Sequence, residues 1–561
     1  MMDSQRPFLY LTLIFLGFLL WTSWQQDHAP KPLAPSSTQS SQSNPASSSV
    51  PTQTTSAAGA PAVPPVPNVS GSATSVSGAG QIIRIKSDVL DLQISTKGGD
   101  IVAADLLTYP VSLEEKDKPV RILDLNGRNY VAQSGLQHQP VNGQTVDGLA
   151  PNHLADFTAE KTEYLLAPDQ NEVVLPLVWQ GPNGLVVTKR YRLKRGSFDL
   201  VLEEEVQNNS SQAWIGSEYR QLKHGPSHVN NNFLTSGVQA FVGGAYYAED
   251  KYKKISFTDM KESLTETATG GWVSMLEHYF ISAWIPPQDQ QNTYYSMENQ
   301  QMGVPNYILG VRSPVKEIAP GTSGLFTSQL WVGPKMQDDL EAIAKGLDLT
   351  VDYGIFAFVS KPIFWVMQAI HSFVGNWGWT IILLTLFIKI LFFWPSAASY
   401  KSMAKMKAAA PKMKEINERF SSDPQAKQKA MMELYKKEKI NPLGGCLPIL
   451  IQIPVFMGLY WVLLESVELR QAPWILWYKD LSIMDPYFVL PLLMGASMFF
   501  QQKLNPPQMD PIQQKIFQFL PIIFTFMFLW FPAGLVLYWV VNNVLSIAQQ
   551  WVINKKIVGH A

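Results

Sequence analysis

Cysteine is almost missing from this chain. Cys446 stands alone among 561 residues, which excludes an intramolecular disulfide and any cysteine-rich metal site. Within an apolar run such a thiol reads as a small buried hydrophobe. Charge is scarce as well: Asp, Glu, Lys and Arg make up 16 % of the residues, against roughly 25 % in a soluble domain. The 44 basic and 45 acidic residues nearly cancel, so the net charge does not point to nucleic acid. Also absent are His-Glu-x-x-His, Gly-x-Ser-x-Gly, a P-loop and paired intramembrane aspartates, which leaves no recognisable enzyme centre and no expected cofactor or metal. His224-Gly-Pro-Ser-His228 has a suggestive composition, but its Gly-Pro breaks helical alignment and the segment reads as a plain loop.

What takes the place of charge is apolar sequence, unevenly distributed. One run opens the chain and the others crowd beyond residue 350, the pattern of a multi-domain membrane protein. Residues 1–24 read as a transmembrane anchor. Arg6 precedes its apolar run, and no Ala-x-Ala-like cleavage site closes it. Residues 25–80 are dominated by Pro, Ser, Ala, Thr and Gln, too polar to offset ordering entropy, and predict a flexible tether. Residues 81–350 read as β structure. Asp91-Leu-Gln-Ile-Ser95 alternates before Gly98-Gly99, residues 188–194 and 198–206 flank a turn at Arg195-Gly196-Ser197, and a short helix over 336–347 follows the last strand. Many short strands with intervening Gly, Pro and Asn predict a large antiparallel sandwich.

The remainder predicts helices. Over 354–371 the residues Ile363, Phe364, Val366, Met367 and Ile370 share one helix face, as in a helix lying in the membrane interface. Spans are expected at 372–394, 443–466, 484–502, 513–531 and 534–553, which with the anchor makes six transmembrane helices, and a tail occupies 554–561. The connection 395–442 holds eleven Lys and Arg, whereas the loop 467–483 holds two. The positive-inside rule therefore places the first in the cytoplasm, both termini inside and the β region outside. That connection also predicts a helical hairpin, turned by Ser422-Asp423-Pro424, which is basic and methionine-rich: Met403, Met406, Lys407, Met413, Lys414 and Arg419 lie on its first helix. Two readings stand side by side, an anchor on anionic lipid and an adaptable docking surface for apolar polypeptide or ribosomal RNA.

Lys389 is the residue that most needs explanation. A charge inside a membrane helix costs about 2.5–3.5 kcal/mol, and no acidic residue lies in the core of another expected span to pair with it. An unpaired lysine implies water, hence a hydrated cavity. Counted twelve residues from Trp377, it lies about 18 Å along the helix, slightly past the middle of a membrane of about 30 Å. Thr385 sits one turn earlier on the same face. Gln452, Gln501 and Gln502 are polar residues of other spans, and Tyr538, Asn542 and Ser546 recur every four residues on one face. Each could instead be a simple interhelical hydrogen bond.

Four stretches carry a family resemblance: residues 375–394, Asn441-Pro-Leu-Gly-Gly-Cys-Leu-Pro448, Val467-Glu-Leu-Arg-Gln-Ala-Pro473 and Phe531-Pro-Ala-Gly-Leu-Val-Leu-Tyr538. They closely resemble the YidC/Oxa/Alb family of membrane protein insertases. The resemblance implies a large periplasmic β supersandwich, a five-helix core and a hydrophilic groove open to cytoplasm and lipid but closed to the periplasm. It further implies that Lys389 lies in the groove and that Thr385, Tyr538 and Trp539 lie near the substrate helix; with the polar span residues Gln452 and Asn542 these are the expected groove residues. The family usually carries arginine at the position of Lys389; lysine keeps the charge but not the planar fork. The implied partners are nascent membrane proteins, the Sec translocon (SecYEG and SecDF), the ribosome and anionic lipids. Two rival readings are a secondary transporter with Lys389 as counter-ion, though no internal repeat is present, and a periplasmic carbohydrate module on a membrane anchor.

Overall fold

Strand Leu185–Lys194 alternates buried and partly exposed residues along its length, as a strand covered on one face must. Its turn into Asp199–Asn208 is made by Gly196 at φ +70°, a left-handed conformation that glycine adopts without strain. The computed structural model describes residues 80–140, 148–226, 240–301, 303–420, 423–438, 447–504, 511–553 and 555. The expected anchor 1–24, the tether before Gly80, His228, Cys446 with Asn441–Gly445, and the tail apart from Lys555 lie outside the described residues.

The strands form two sheets, of eleven and eight strands. In the larger, Trp214–His224 is central and pairs antiparallel with Val131–His138 and Val304–Arg312. In the smaller, Asp199–Asn208 lies between Leu185–Lys194 and Thr322–Pro334. Among the described residues the pairing is antiparallel except between Ile82–Lys86 and Glu163–Leu165, which run parallel. One apolar cluster joins the two sheets, with Trp272, Trp284, Tyr130 and Tyr191 buried within it. The inward position of Lys189 puts a charge in this layer, fully buried. Its Nζ lies 3.2 Å from the Glu204 carboxylate and donates to Gly98 O at 2.8 Å and to Ser134 O and Oγ at 2.9 Å. A buried cation is tolerated only when its donors are used in this way.

Eight helices beyond the sandwich concern the site: α1 (Ala357–Val374), α2 (Trp377–Leu391), α3 (Phe393–Arg419), α4 (Pro424–Lys437), α5 (Leu447–Glu465), α6 (Val489–Leu504), α7 (Pro511–Phe528) and α8 (Ala533–Ile553). Helix α1 buries Ile363, Phe364 and Met367 and exposes Phe358, Trp365 and Phe373, and Pro362 lies inside it. Helix α8 packs against α2 and α6, α1 against α5 and α2, and α7 against α6. A second apolar cluster runs through them.

Among the described residues no single helix is both long and apolar enough to cross a membrane. The bent pair α2–α3 passes that test together, with a 69° change of direction at Phe392. The expected span 372–394 is thus a broken element: α2 stops at Leu391, and the helix that continues into the basic hairpin starts two residues later. The structure does not confirm the expected six spans.

The sandwich is docked on the helices. Arg470 Nη2, in the loop after α5, donates to Pro110 O at 2.7 Å and Val111 O at 3.0 Å, and Gln471 Nε2 donates to Pro110 O at 3.1 Å. His278 Nε2 bonds Leu464 O at 2.9 Å. Val467 is buried in the sandwich core itself. Lys335, fully enclosed at this junction, has its ammonium pushed down to about 8 by burial.

Candidate functional site

Helix α2 begins at Asn376, whose side chain accepts from Trp379 N, a standard use of asparagine before a first turn. Four turns on, Lys389 is 8 % exposed. Its Nζ donates to Ser546 Oγ of α8 at 2.7 Å, and Ser546 Oγ donates in turn to Asn542 O one turn back, also at 2.7 Å. Among the described residues no carboxylate lies within ion-pair distance of Lys389. The expectation of an unpaired lysine is corrected in one respect: the ammonium has a neutral hydroxyl partner, which satisfies one donor and leaves the charge uncompensated. Ser546, read from its spacing as part of a polar face, is that partner.

The other expected groove residues divide into four. Asn542 joins Lys389 and Ser546, through its backbone carbonyl. Thr385 is buried one turn above Lys389, but its hydroxyl donates to Ile381 O of its own helix at 2.7 Å, which is where threonine in a helix commonly bonds. Tyr538 is buried and stacks on Phe456 of α5, ring centres 6.3 Å apart and 20° from parallel. Trp539 is half-buried and meets the same ring edge-on at 5.1 Å. Gln452 is half-buried one turn before Phe456 on α5. The structure therefore forms two neighbouring groups along α8, a polar one around Lys389 and an aromatic one around Phe456. Phe456 itself escaped the sequence reading, because an aromatic in an apolar helix carries no periodic signal.

Two further polar contacts of α8 were not anticipated. Asn543 Nδ2 donates to Ser497 Oγ of α6 at 2.9 Å, and Gln550 Nε2 to Leu504 O at 3.2 Å. Asn543 follows Asn542 and so points about 100° around the helix from it. The adjacent asparagines were a legible sign that α8 is polar on two faces.

The basic hairpin is formed by α3 and α4. Asp423 Oδ1 accepts from Gln425 N and Ala426 N, both at 3.0 Å, and caps α4. Ala409, Met413, Met431 and Leu434 are buried between the helices, with Met406 and Ile416 packed beside them. This corrects the placing of Met413 on the docking face: it is 5 % exposed, because its spacing turns it toward α4. Met403 is half-buried, whereas Lys407, Lys414 and Arg419 are exposed. Met432 of α4, 56 % exposed, is a free methionine the sequence reading passed over. Among the described residues no three His, Cys, Asp or Glu side chains converge so as to hold a metal ion.

Two family models match the chain, and the boundary between them falls within α1. The model of the YidC periplasmic domain matches residues 82–366, and that of the 60Kd inner membrane protein matches residues 369–560. The matching families are thus those of an inner membrane protein with a periplasmic domain, which in this chain is the β sandwich. The membrane protein insertase YidC of Thioalkalivibrio sulfidiphilus is 50 % identical over 560 residues, covering 99 % of both chains. That of Methylococcus capsulatus is 46 % identical over 559 residues, again covering 99 % of both. The chain belongs to the YidC family of membrane protein insertases. A crystal structure of an active YidC insertase with its first transmembrane domain resolved aligns over 84 % of this chain and 92 % of its own, at 15 % identity and a TM-score of 0.36.

Proposed function

We propose that the chain inserts membrane proteins through a hydrated groove bordered by α2, α5 and α8, without nucleotide or cofactor. An emerging hydrophobic segment is received at the basic hairpin, alone or beside the Sec translocon, with the ribosome and anionic lipid as further partners of its lysines and Arg419. The short polar tail of the client enters the groove, where Lys389 attracts its acidic residues and shortens the apolar path they cross. The apolar client helix slides past Tyr538, Trp539 and Phe456 into lipid. Its burial drives the step, at about 25 cal/mol per Å² of apolar area. Five proposed spans in the helical part and one amino-terminal anchor place both termini in the cytoplasm.

The observation that carries this reading is the setting of Lys389. Its charge is turned inward between α2 and α8 and is met by a serine hydroxyl, so it retains an attraction for an incoming carboxylate. A transporter counter-ion would need an equally buried partner that a substrate displaces, and no carboxylate plays that part among the described residues. The test is client insertion in vesicles bearing Lys389→Glu or Lys389→Arg. The glutamate variant should block clients with acidic tails and the arginine variant should insert them. Normal insertion of every client by both Lys389→Ala and Lys389→Glu would remove the charge from the mechanism.

A further inference from the structure

The loop between α5 and α6 lies on the side of the helices that carries the sandwich, and it holds a buried acid that no cation neutralises among the described residues. Asp485 is 1 % exposed. Its Oδ1 accepts from Trp477 Nε1 at 3.3 Å and Tyr487 N at 3.0 Å, and its Oδ2 from Tyr478 OH at 3.1 Å and Leu490 N at 2.8 Å. Two of these donors belong to the turn at Trp477-Tyr478 and two to the entry of α6. The carboxylate therefore staples the loop to a helix amino-terminus, where the unpaired N–H groups favour an anion.

The same loop holds two other helices at their amino-termini. Ala533 N and Gly534 N, at the start of α8, donate to Ile483 O at 2.7 Å and Leu481 O at 2.9 Å. Asn376 Nδ2, at the start of α2, donates to Pro473 O at 3.2 Å and Trp474 O at 3.3 Å. Gly378 lets the Trp474 ring lie against α2, since a Cβ there would fall 2.1 Å from it. Leu476 and Phe488 are held at φ +54° and +55°, a conformation such residues keep only when the surroundings impose it.

We infer that Asp485 is the positioning residue that keeps the groove closed on the side of the β domain. The inference rests on the groove proposed above. Helices α2 and α8 are joined at their amino-terminal ends through this loop and, about 18 Å along α2, by the Lys389–Ser546 hydrogen bond. A buried carboxylate with four donors fixes the first junction, whereas one neutral acceptor holds the second. A client that parts the two helices opens the Lys389 end and leaves the loop end shut.

The test uses the full chain in sealed vesicles, with Thr385→Cys in a Cys446→Ser background and a membrane-impermeant maleimide added from either side. With Asp485 intact, position 385 should label readily from the hairpin side and only slowly from the β-domain side. Asp485→Ala should label from the β-domain side about tenfold faster than its parent, the scale expected when charge-assisted hydrogen bonds holding a local structure are lost. Asp485→Asn, which keeps one acceptor, should fall between. Should Asp485→Ala fail to accumulate, Trp477→Phe with Tyr478→Phe removes two donors, keeps the carboxylate and should give the intermediate result. Labelling from the β-domain side unchanged in these variants, with hairpin-side labelling retained, overturns the role of Asp485 and leaves the groove standing. Silence from both sides in every variant refutes the groove, and the closure with it.

Discussion

A lysine ammonium has three N–H donors, and Lys389 gives one of them to Ser546. The residue therefore combines a charge expensive to bury with spare hydrogen-bonding capacity, which suits a transient carboxylate better than a permanent one. Ser546→Ala should cost the helical part about 0.6–2 kcal/mol, the usual worth of an interhelical hydrogen bond in a membrane. It should still insert acidic-tailed clients, because the charge stays; thermal unfolding and protease protection of the client tail read the two effects separately. In the sandwich, Asp100 offers a contrasting residue. Its Oδ2 accepts from Gln133 Nε2 at 2.5 Å while Oδ1 has no partner among the described residues, and burial pushes its carboxyl up to about 7. A carboxyl with a raised folded pKa binds its proton more tightly in the native state, so its contribution is complete below about pH 4 and declines as pH rises to about 7. Asp100→Asn should therefore gain stability relative to the parent across that window and hold the gain above it, as melting temperatures of the two chains at pH 4.5 and 7.5 would record.

Elements show where sequence pattern is a sufficient guide. The turn at Gly196 and the strands around it follow from alternation plus one left-handed position, and Asp423 announces the start of α4 by its capping chemistry. The hairpin core was harder to read. Met403, Met406 and Met413 look equivalent in a list, yet only their angle to α4 decides that Met413 is enclosed. The break at Phe392 was not legible either: an apolar run states its length, while a 69° bend arises from what the run packs against. Likewise Lys189 and Glu204 stand directly opposite each other on neighbouring strands of one sheet, a pairing that depends on register. These distinctions have a consequence. Met413→Ala removes a buried side chain and should cost the hairpin about 2–5 kcal/mol, seen as faster amide exchange along α3 and α4. Met432→Ala should leave exchange within the small range of a surface change, about 0.5 kcal/mol, and reduce crosslinking to nascent clients.

At the scale of the whole molecule, a sandwich of two sheets meets a helical part through few specific contacts. Some of those contacts use backbone carbonyls of the sandwich: Pro110 O and Val111 O receive Arg470, and Pro110 O also receives Gln471. Hydrogen bonds to a charged group contribute about 1.5–3 kcal/mol, so Arg470→Ala should loosen the junction by that order, measured as faster amide exchange in strand Ile101–Pro110. The insertion chemistry proposed for Lys389 requires no side chain of the sandwich. Deleting most of residues 82–330 should accordingly leave insertion largely intact, and loss of all insertion would shift the function to the β domain.

The placement of Arg470 gives the loop after α5 a mechanical meaning. Within sixteen residues the chain passes from the anchor point of the sandwich, Arg470, to the acid that locks α6, Asp485. There is no independent linker between them. A pull on the periplasmic domain, from a partner or from a client folding beneath it, reaches the amino-termini of α2, α6 and α8 through this loop. The sandwich is in this sense a handle mounted on the seal.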